Sequence, residues 1–420
     1  MLLLLLPPSF CLRSSMPRCS RQAMPILILW CVVPCSAILT GCNSRPYTVG
    51  PTSGLPAPAP AAPSSNAYIG TQSPLNWTLT IDDNQNAYSY RSLPSDGSKP
   101  AVASGTFVPQ DGFLNLGAAG LALEIPGAGA ILRPGDNTIA PVAMVEQDAC
   151  FALTGQQRYM FQGMVNTTAI TTPLIYRRGD FVASSTPDGK TWSFDDAEYA
   201  DANGNQIALQ YQGQNSANAF TGACASVDGV SSVTIATTGA YSIPTTFRFG
   251  SAGMGVADYA ANTSAVGLAQ PLDPIDIKSL AGDGFRGFQV EYSPSAVTRP
   301  VSFGPALDGS VALNGGTYPN DDVSQPADSS DQFQFGAQDS LINGLFTGAT
   351  MTILDPQGGC ALNGRSASDI GLTSNGIPTC RLHLSAIVGL MSGKAFIIAG
   401  GLDFTVPYSI PDIQFYLIQQ

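Results

Sequence analysis

The chain is 420 residues long, enough for one large or two ordinary domains, with 18 basic and 30 acidic residues, a single histidine and 11% charged residues in all. That balance excludes nucleic acid as a partner, which needs a basic footprint, and excludes electrostatic docking on anionic lipid. Glycine (44) and proline (32) are abundant, and the polar surface is supplied by amides and hydroxyls rather than ions, in the manner of extracytoplasmic β-proteins.

In chain order, the first feature is an apolar run from Ile26 to Leu39, interrupted by Pro34 and preceded by Arg18 and Arg21. A membrane-spanning helix takes ~20 apolar residues, so this shorter run fits the apolar region of a signal peptide, with Met16 a candidate start. The run closes on Leu39-Thr40-Gly41-Cys42. This stretch resembles the lipobox of bacterial lipoproteins. The resemblance implies that residues 1–41 are removed as a signal peptide and that the Cys42 thiol carries a diacylglycerol. An added N-acyl chain would give ample anchoring, because one chain alone is marginal. Asn43 after the cysteine implies onward sorting to the outer membrane. Losing Arg13, Arg18 and Arg21 with the leader leaves 15 basic and 30 acidic residues, a net charge of −15.

Residues 42–66 read as a tether. Pro51, Pro56, Pro58, Pro60 and Pro63 alternate with alanine, glycine and serine, a composition that stays extended and semi-rigid and buries no core. Leader and tether together resemble the Pro/Ala-tethered lipoproteins of proteobacteria, a likeness confined to the first ~65 residues. Of the nine cysteines, four lie in the leader and one is Cys42. Cys150, Cys224, Cys360 and Cys380 remain, an even number for an oxidising compartment. The spacing favours Cys150–Cys224 and Cys360–Cys380 among the three connectivities.

Residues 67–420 predict an antiparallel all-β body. Short alternating runs such as Trp77-Thr78-Leu79-Thr80-Ile81 and Phe285 to Tyr292 are separated by Asp96-Gly97, Asp111-Gly112, Asp188-Gly189, Asn203-Gly204, Asp228-Gly229 and Asp308-Gly309. Asx-Gly pairs supply the positive φ that tight hairpins need. Fragments recur along the body. Phe220-Thr221-Gly222-Ala223 returns as Phe346-Thr347-Gly348-Ala349, Ile243-Pro244-Thr245 as Ile377-Pro378-Thr379, and Phe161-x-Gly163 as Phe285-x-Gly287. These echoes suggest units near 77–191, 192–310 and 311–420, with a half-period carried by Gly105, Gly163, Gly222, Gly287 and Gly348. Modules of ~60 residues, each with about four strands, predict a six-bladed β-propeller, closed by Phe415-Tyr416-Leu417-Ile418. The alternative is three tandem β-sandwich or barrel domains.

Chemistry is sparse. His383 is the lone histidine, there is no Gly-x-Ser-x-Gly elbow, and no phosphate-binding glycine motif stands between a strand and a helix. His383 reads as a polar residue on the outer face of a strand. Carboxylates remain, at Asp82-Asp83, at Asp195-Asp196 with Glu198 and Asp201, and at Asp321-Asp322. Such groups serve glycan hydrolysis or hold calcium. Asp201-x-Asn203-x-Asn205 begins like an EF-hand loop, but Gln206 and Gln212 stand where glycine and glutamate are required, and a hairpin turn explains it better. No catalytic, cofactor or metal residue is assigned, calcium being the weakest of the open options. The sequence therefore predicts a lipid-anchored envelope protein that binds or scaffolds an envelope protein or glycan without catalysis. A carboxylate-dependent glycan hydrolase is the alternative.

Overall fold

A computed structural model of the chain describes residues 65–72, 75–94, 99–136, 139–147, 150–165, 175–201, 220–227, 230–235, 244–259, 263–291, 297–356, 367–401 and 413–420. The expected leader, Cys42 and the expected tether up to residue 64 lie outside them. The described residues are almost entirely antiparallel strands, with one short helix, α1 (Ile277–Ala281), and two 3-10 turns.

The first sheet contains β1 (Asn66–Gln72), β2 (Leu75–Asp82), β3 (Ala87–Pro94), β4 (Val102–Thr106), β5 (Val108–Gln110), β6 (Phe113–Asn115), β7 (Gly120–Ile125), β8 (Gly129–Pro134) and β9 (Val142–Glu146). Each strand pairs with its neighbour in sequence, and β1 pairs with β9. The one missing step is β4 to β5, which a single residue, Phe107, separates. They are two halves of one strand. The first half bonds to β3 and the second to β6.

The second sheet contains β10 (Gln157–Val165), β11 (Ile175–Ser185), β12 (Thr191–Asp201), β13 (Phe220–Val227), β14 (Val230–Ile235), β15 (Pro244–Phe249), β16 (Met254–Tyr259) and β17 (Thr263–Ala269), closed into a barrel by β10 and β17. The third contains β18 (Phe285–Glu291), β19 (Val297–Pro305), β20 (Ala312–Thr317), β21 (Asp331–Gln334), β22 (Ala337–Gln338), β23 (Leu345–Leu354), β24 (Ile370–Leu372), β25 (Pro378–Met391), β26 (Lys394–Gly401) and β27 (Ile413–Gln419). Here β18 pairs with β27 and β23 with β25, so that eight strands form a ring with β22 and β24 appended outside it.

The propeller expectation is thus corrected, and the tandem-barrel alternative describes the architecture. Four strands per ~60 residues is the content of a blade and equally of half an eight-stranded barrel. Edges are reduced by curling each sheet on itself rather than by arranging blades in a ring, with full closure in the second sheet. The run Phe415–Ile418 does close a circle, but that circle is the third barrel. The expected unit starts are also displaced. Trp77 lies in the second strand of its barrel and Trp192 in the third of its own. The pair Phe161-x-Gly163 and Phe285-x-Gly287 marks true equivalence, since both fall on first strands. These glycines let neighbouring chains approach: a Cβ on Gly163 would stand 2.7 Å from the Ser264 carbonyl oxygen.

Each barrel has its own interior. Trp77, Leu79, Tyr90 and Leu132 fill the first, and Phe285, Phe303, Phe333 and Phe415 the third. The second is packed with aromatic rings, including Trp192 stacked on Phe249 at 4.7 Å and 6°, so its lumen is a core and not a channel. A fourth apolar cluster lies outside the barrels and between them. It joins Ile131 and Val145 of the first barrel, Met160 and Val256 of the second, and Ile387, Phe396 and Ile398 of the third. Strand β26 shows the division of labour: Ala395, Ile397 and Ala399 point into the barrel while Phe396 and Ile398 point into the shared core. Both faces are buried, so the run is apolar throughout and does not alternate. Polar ties cross the same junctions. Arg133 of β8 pairs with Asp321 at 3.2 Å, Arg286 of β18 with Asp111 at 2.6 Å, and Arg248 of β15 donates to Asn76 at 2.9 Å.

Candidate functional site

Residues Gln270–Gly284 link the second barrel to the third, and beside this linker opens a cleft of about 960 Å³. Its walls come from the loop before β10 (Phe151, Leu153), the turn before β16 (Ser251–Gly253), the linker itself, the β25–β26 tip (Leu390, Gly393) and the end of β27 (Gln419). Clefts at domain junctions with mixed lining are the usual places for ligands.

Local chemistry holds each wall. Cys150 and Cys224 form a disulfide that fixes the loop before β10 to strand β13. This sets Phe151 edge-on against Trp192 at 5.5 Å, and Leu153 N–H donates to the Ser185 hydroxyl at 2.7 Å. Gly189 has φ +68°, and a Cβ there would stand 2.5 Å from the Phe151 carbonyl oxygen, so the close approach of loop and hairpin requires glycine. On the linker, Gln270 N–H donates to Arg158 O at 2.8 Å, and the Asn343 amide donates to Leu272 O at 2.9 Å. Asp276 caps α1 by accepting from Lys278 N–H at 3.0 Å. Asp283 accepts from the Gln419 amide at 2.6 Å, and Gln419 in turn accepts from Ala395 N–H at 2.7 Å. Tyr159 lies in the floor, where burial pushes its hydroxyl pKa well above the ordinary range. On the rim, Leu272 is 94% exposed and Leu390 55% exposed, two large apolar side chains held in water beside an open cavity. Sequence reading missed this site. Its only mark in the sequence is Pro271-Leu272-Asp273-Pro274, a proline-bounded leucine with no strand to belong to.

The residues singled out from sequence scatter over the molecule. Cys42 is outside the described residues. Cys380 is buried and disulfide-bonded, while Cys360 lies outside the described residues. His383 is on the exposed face of β25, with Nε2 2.9 Å from Asp369 Oδ1. Asp82 holds the turn after β2 by accepting from Asn84 N–H and Gln85 N–H at 3.0 and 3.1 Å. Asp321 is engaged by Arg133, and Asp322 accepts from Ser324 N–H at 3.0 Å. Asp195 is exposed on β12, along which Asp196, Glu198 and Asp201 follow. Residues 202–219, including the rest of the expected hairpin at Asn203-Gly204, are outside the described set. Among the described residues, no three acidic, histidine or cysteine side chains are grouped to hold a metal ion.

No protein-family model matches the chain, and no curated protein matches it. Among solved structures, it is similar to the isotype 1 transferrin binding protein B from serogroup B Neisseria meningitidis, with a TM-score of 0.25 and 10% identity. The match covers 82% of this chain and 66% of that one, so the chain spans just under two thirds of that protein's length.

Proposed function

We propose that the protein is a lipid-anchored module of the bacterial cell envelope that binds an envelope protein or glycan through the cleft between its second and third barrels. The observation that carries this reading is the cleft itself, with an aromatic floor, amide and carboxylate walls, and two leucines exposed on its rim. Two of the three carboxylates in the walls already have structural work: Asp276 caps a helix and Asp283 is held by Gln419, which leaves Asp273. The lipobox-like Leu39–Cys42 and the proline-rich stretch after it supply the anchor and the tether, with outer-membrane sorting taken from Asn43.

Photo-crosslinking in intact cells tests the cleft. A crosslinker at Leu272 or Leu390 gives discrete adducts that one at Leu307, fully exposed on the β19–β20 turn, does not. Equal patterns at all three positions contradict the assignment. Metabolic labelling with a clickable fatty acid tests the anchor, and label persisting in Cys42→Ala removes it. The hydrolase reading is tested by incubating the chain with purified envelope glycan. New reducing ends, lost in Asp273→Asn or Asp283→Asn, replace binding with catalysis.

A further inference from the structure

The break at Phe107 leaves one strand edge of the first barrel open. Phe107 N–H donates to Asn86 O at 2.8 Å, and Ala101 O accepts from Ser92 N–H at 2.9 Å, so the odd-numbered residues from Ala101 to Phe107 turn their main-chain groups toward β3. Antiparallel alternation then turns the N–H and C=O of Val102, Ser104 and Thr106 to the other side, where the sheet ends. This outer edge is exposed and, among the described residues, without a strand partner: Val102 is 68% accessible, and Ser104, Gly105 and Thr106 are exposed. The companion half is guarded. Gln110 and Phe113 flank a two-residue turn and face each other, so alternation places the nitrogen of Pro109 on the outer edge of β5, where it has no proton to offer. Strand β4 has no such guard. It contains no proline and no charge, and residues 100–110 form an uncharged run in a strongly acidic chain. Natural edges are normally blunted by lysine, proline or a bulge.

We propose that a second copy of this chain occupies the edge, two β4 strands pairing antiparallel across a two-fold axis at Ser104. Charge selects this partner. Apposing any acidic face of one copy with its equivalent brings like charges together, whereas β4 against β4 brings none. The geometry is self-complementary. Ser104 faces Ser104 of the second copy and Val102 faces Thr106, giving about six main-chain hydrogen bonds. Strand addition of this length covers less than a standard interface, so the dimer is weak, with a dissociation constant in the micromolar range. This inference is independent of the cleft.

The test is sedimentation equilibrium of the full chain in density-matched detergent, from about 1 to 200 μM. The expected result is a concentration-dependent monomer–dimer equilibrium. Ser104→Pro removes the central outward N–H without touching the β3 ladder, and Ser104→Lys sets two ammonium groups face to face with the backbone intact. Both raise the dissociation constant at least ~10-fold while Ser104→Ala leaves it unchanged. Thermal melts of the same samples show that the barrels remain folded. A wild-type chain that stays monomeric throughout, or a Ser104→Lys chain that dimerises as tightly as wild type, overturns the proposal.

Discussion

Asp331 shares the inward face of β21 with Phe333 and is pushed up to a pKa of about 6, first by burial and then by Asp328 and Glu291, while the Ser330 hydroxyl opposes the shift. A carboxyl raised in the folded state binds its proton more tightly there than in the unfolded chain. Its contribution to stability is therefore complete below about pH 4 and is lost as pH rises through about 6. Asp331→Asn is expected to stabilise the protein by on the order of 3 kcal/mol at pH 7.5 and to have little effect at pH 4, as read by urea titrations at the two pH values. Arg248 works in the opposite sense. It is buried where the second barrel meets the first, donating to Asp258 at 2.7 Å, to Asn76 and to Thr71. Burial pushes the Asp258 carboxyl up, and the Arg248 guanidinium beside it pulls back. Arg248→Met strands that carboxylate and is expected to cost about 3–5 kcal/mol, part of which Asp258→Leu restores in the double variant. Neither residue had a mark in the sequence, because the low-dielectric setting of each is made by strands distant along the chain. The acids that did stand out, Asp82 and Asp322, are turn builders, each accepting from the backbone N–H two residues on, which is an ordinary use of aspartate.

At the scale of elements, the turns were the most legible part. Asp111 and Gly112 both have positive φ (47° and 82°), as a two-residue hairpin demands, and Gly189 and Gly309 lie at +68° and +70°. Ser392-Gly393 makes the same turn at 48° and 81° and was missed, because serine lacks the αL tolerance that makes Asx-Gly conspicuous. Strands with one wet face, such as β2, announced themselves by alternation. Strands β8 and β26 are buried on both faces, and a strand buried on both faces carries no register in its apolar pattern. The disulfide is the element on which the cleft depends most. Cys150 and Cys224 are 74 residues apart, so removing the bond in Cys150→Ser/Cys224→Ser is expected to cost about 4 kcal/mol by the chain-entropy argument. It should also loosen Phe151 from Trp192, which a rise in Trp192 solvent quenching in the native state would report. An unchanged melt and unchanged quenching would mean that packing alone holds the loop.

At the scale of the whole body, the sequence showed that the chain repeats and that it is all-β, but not how each repeat closes. Closure depends on which strand pairs with which, β1 with β9, β10 with β17 and β18 with β27, and each of these contacts spans a complete repeat. The site was less legible still, because its walls come from three loops and a linker brought together by that closure. What unites the molecule is the shared apolar core between the barrels, to which all three contribute. Barrels that bury their outer faces on one another should not unfold singly, unlike a string of independent domains. Native-state hydrogen exchange across low denaturant tests this most directly. The account predicts that the slowest amides of β8, β16 and β26 share one opening free energy, and that Phe396→Ala lowers it for all three together. A barrel whose amides exchange through a separate opening, untouched by that substitution, would contradict it.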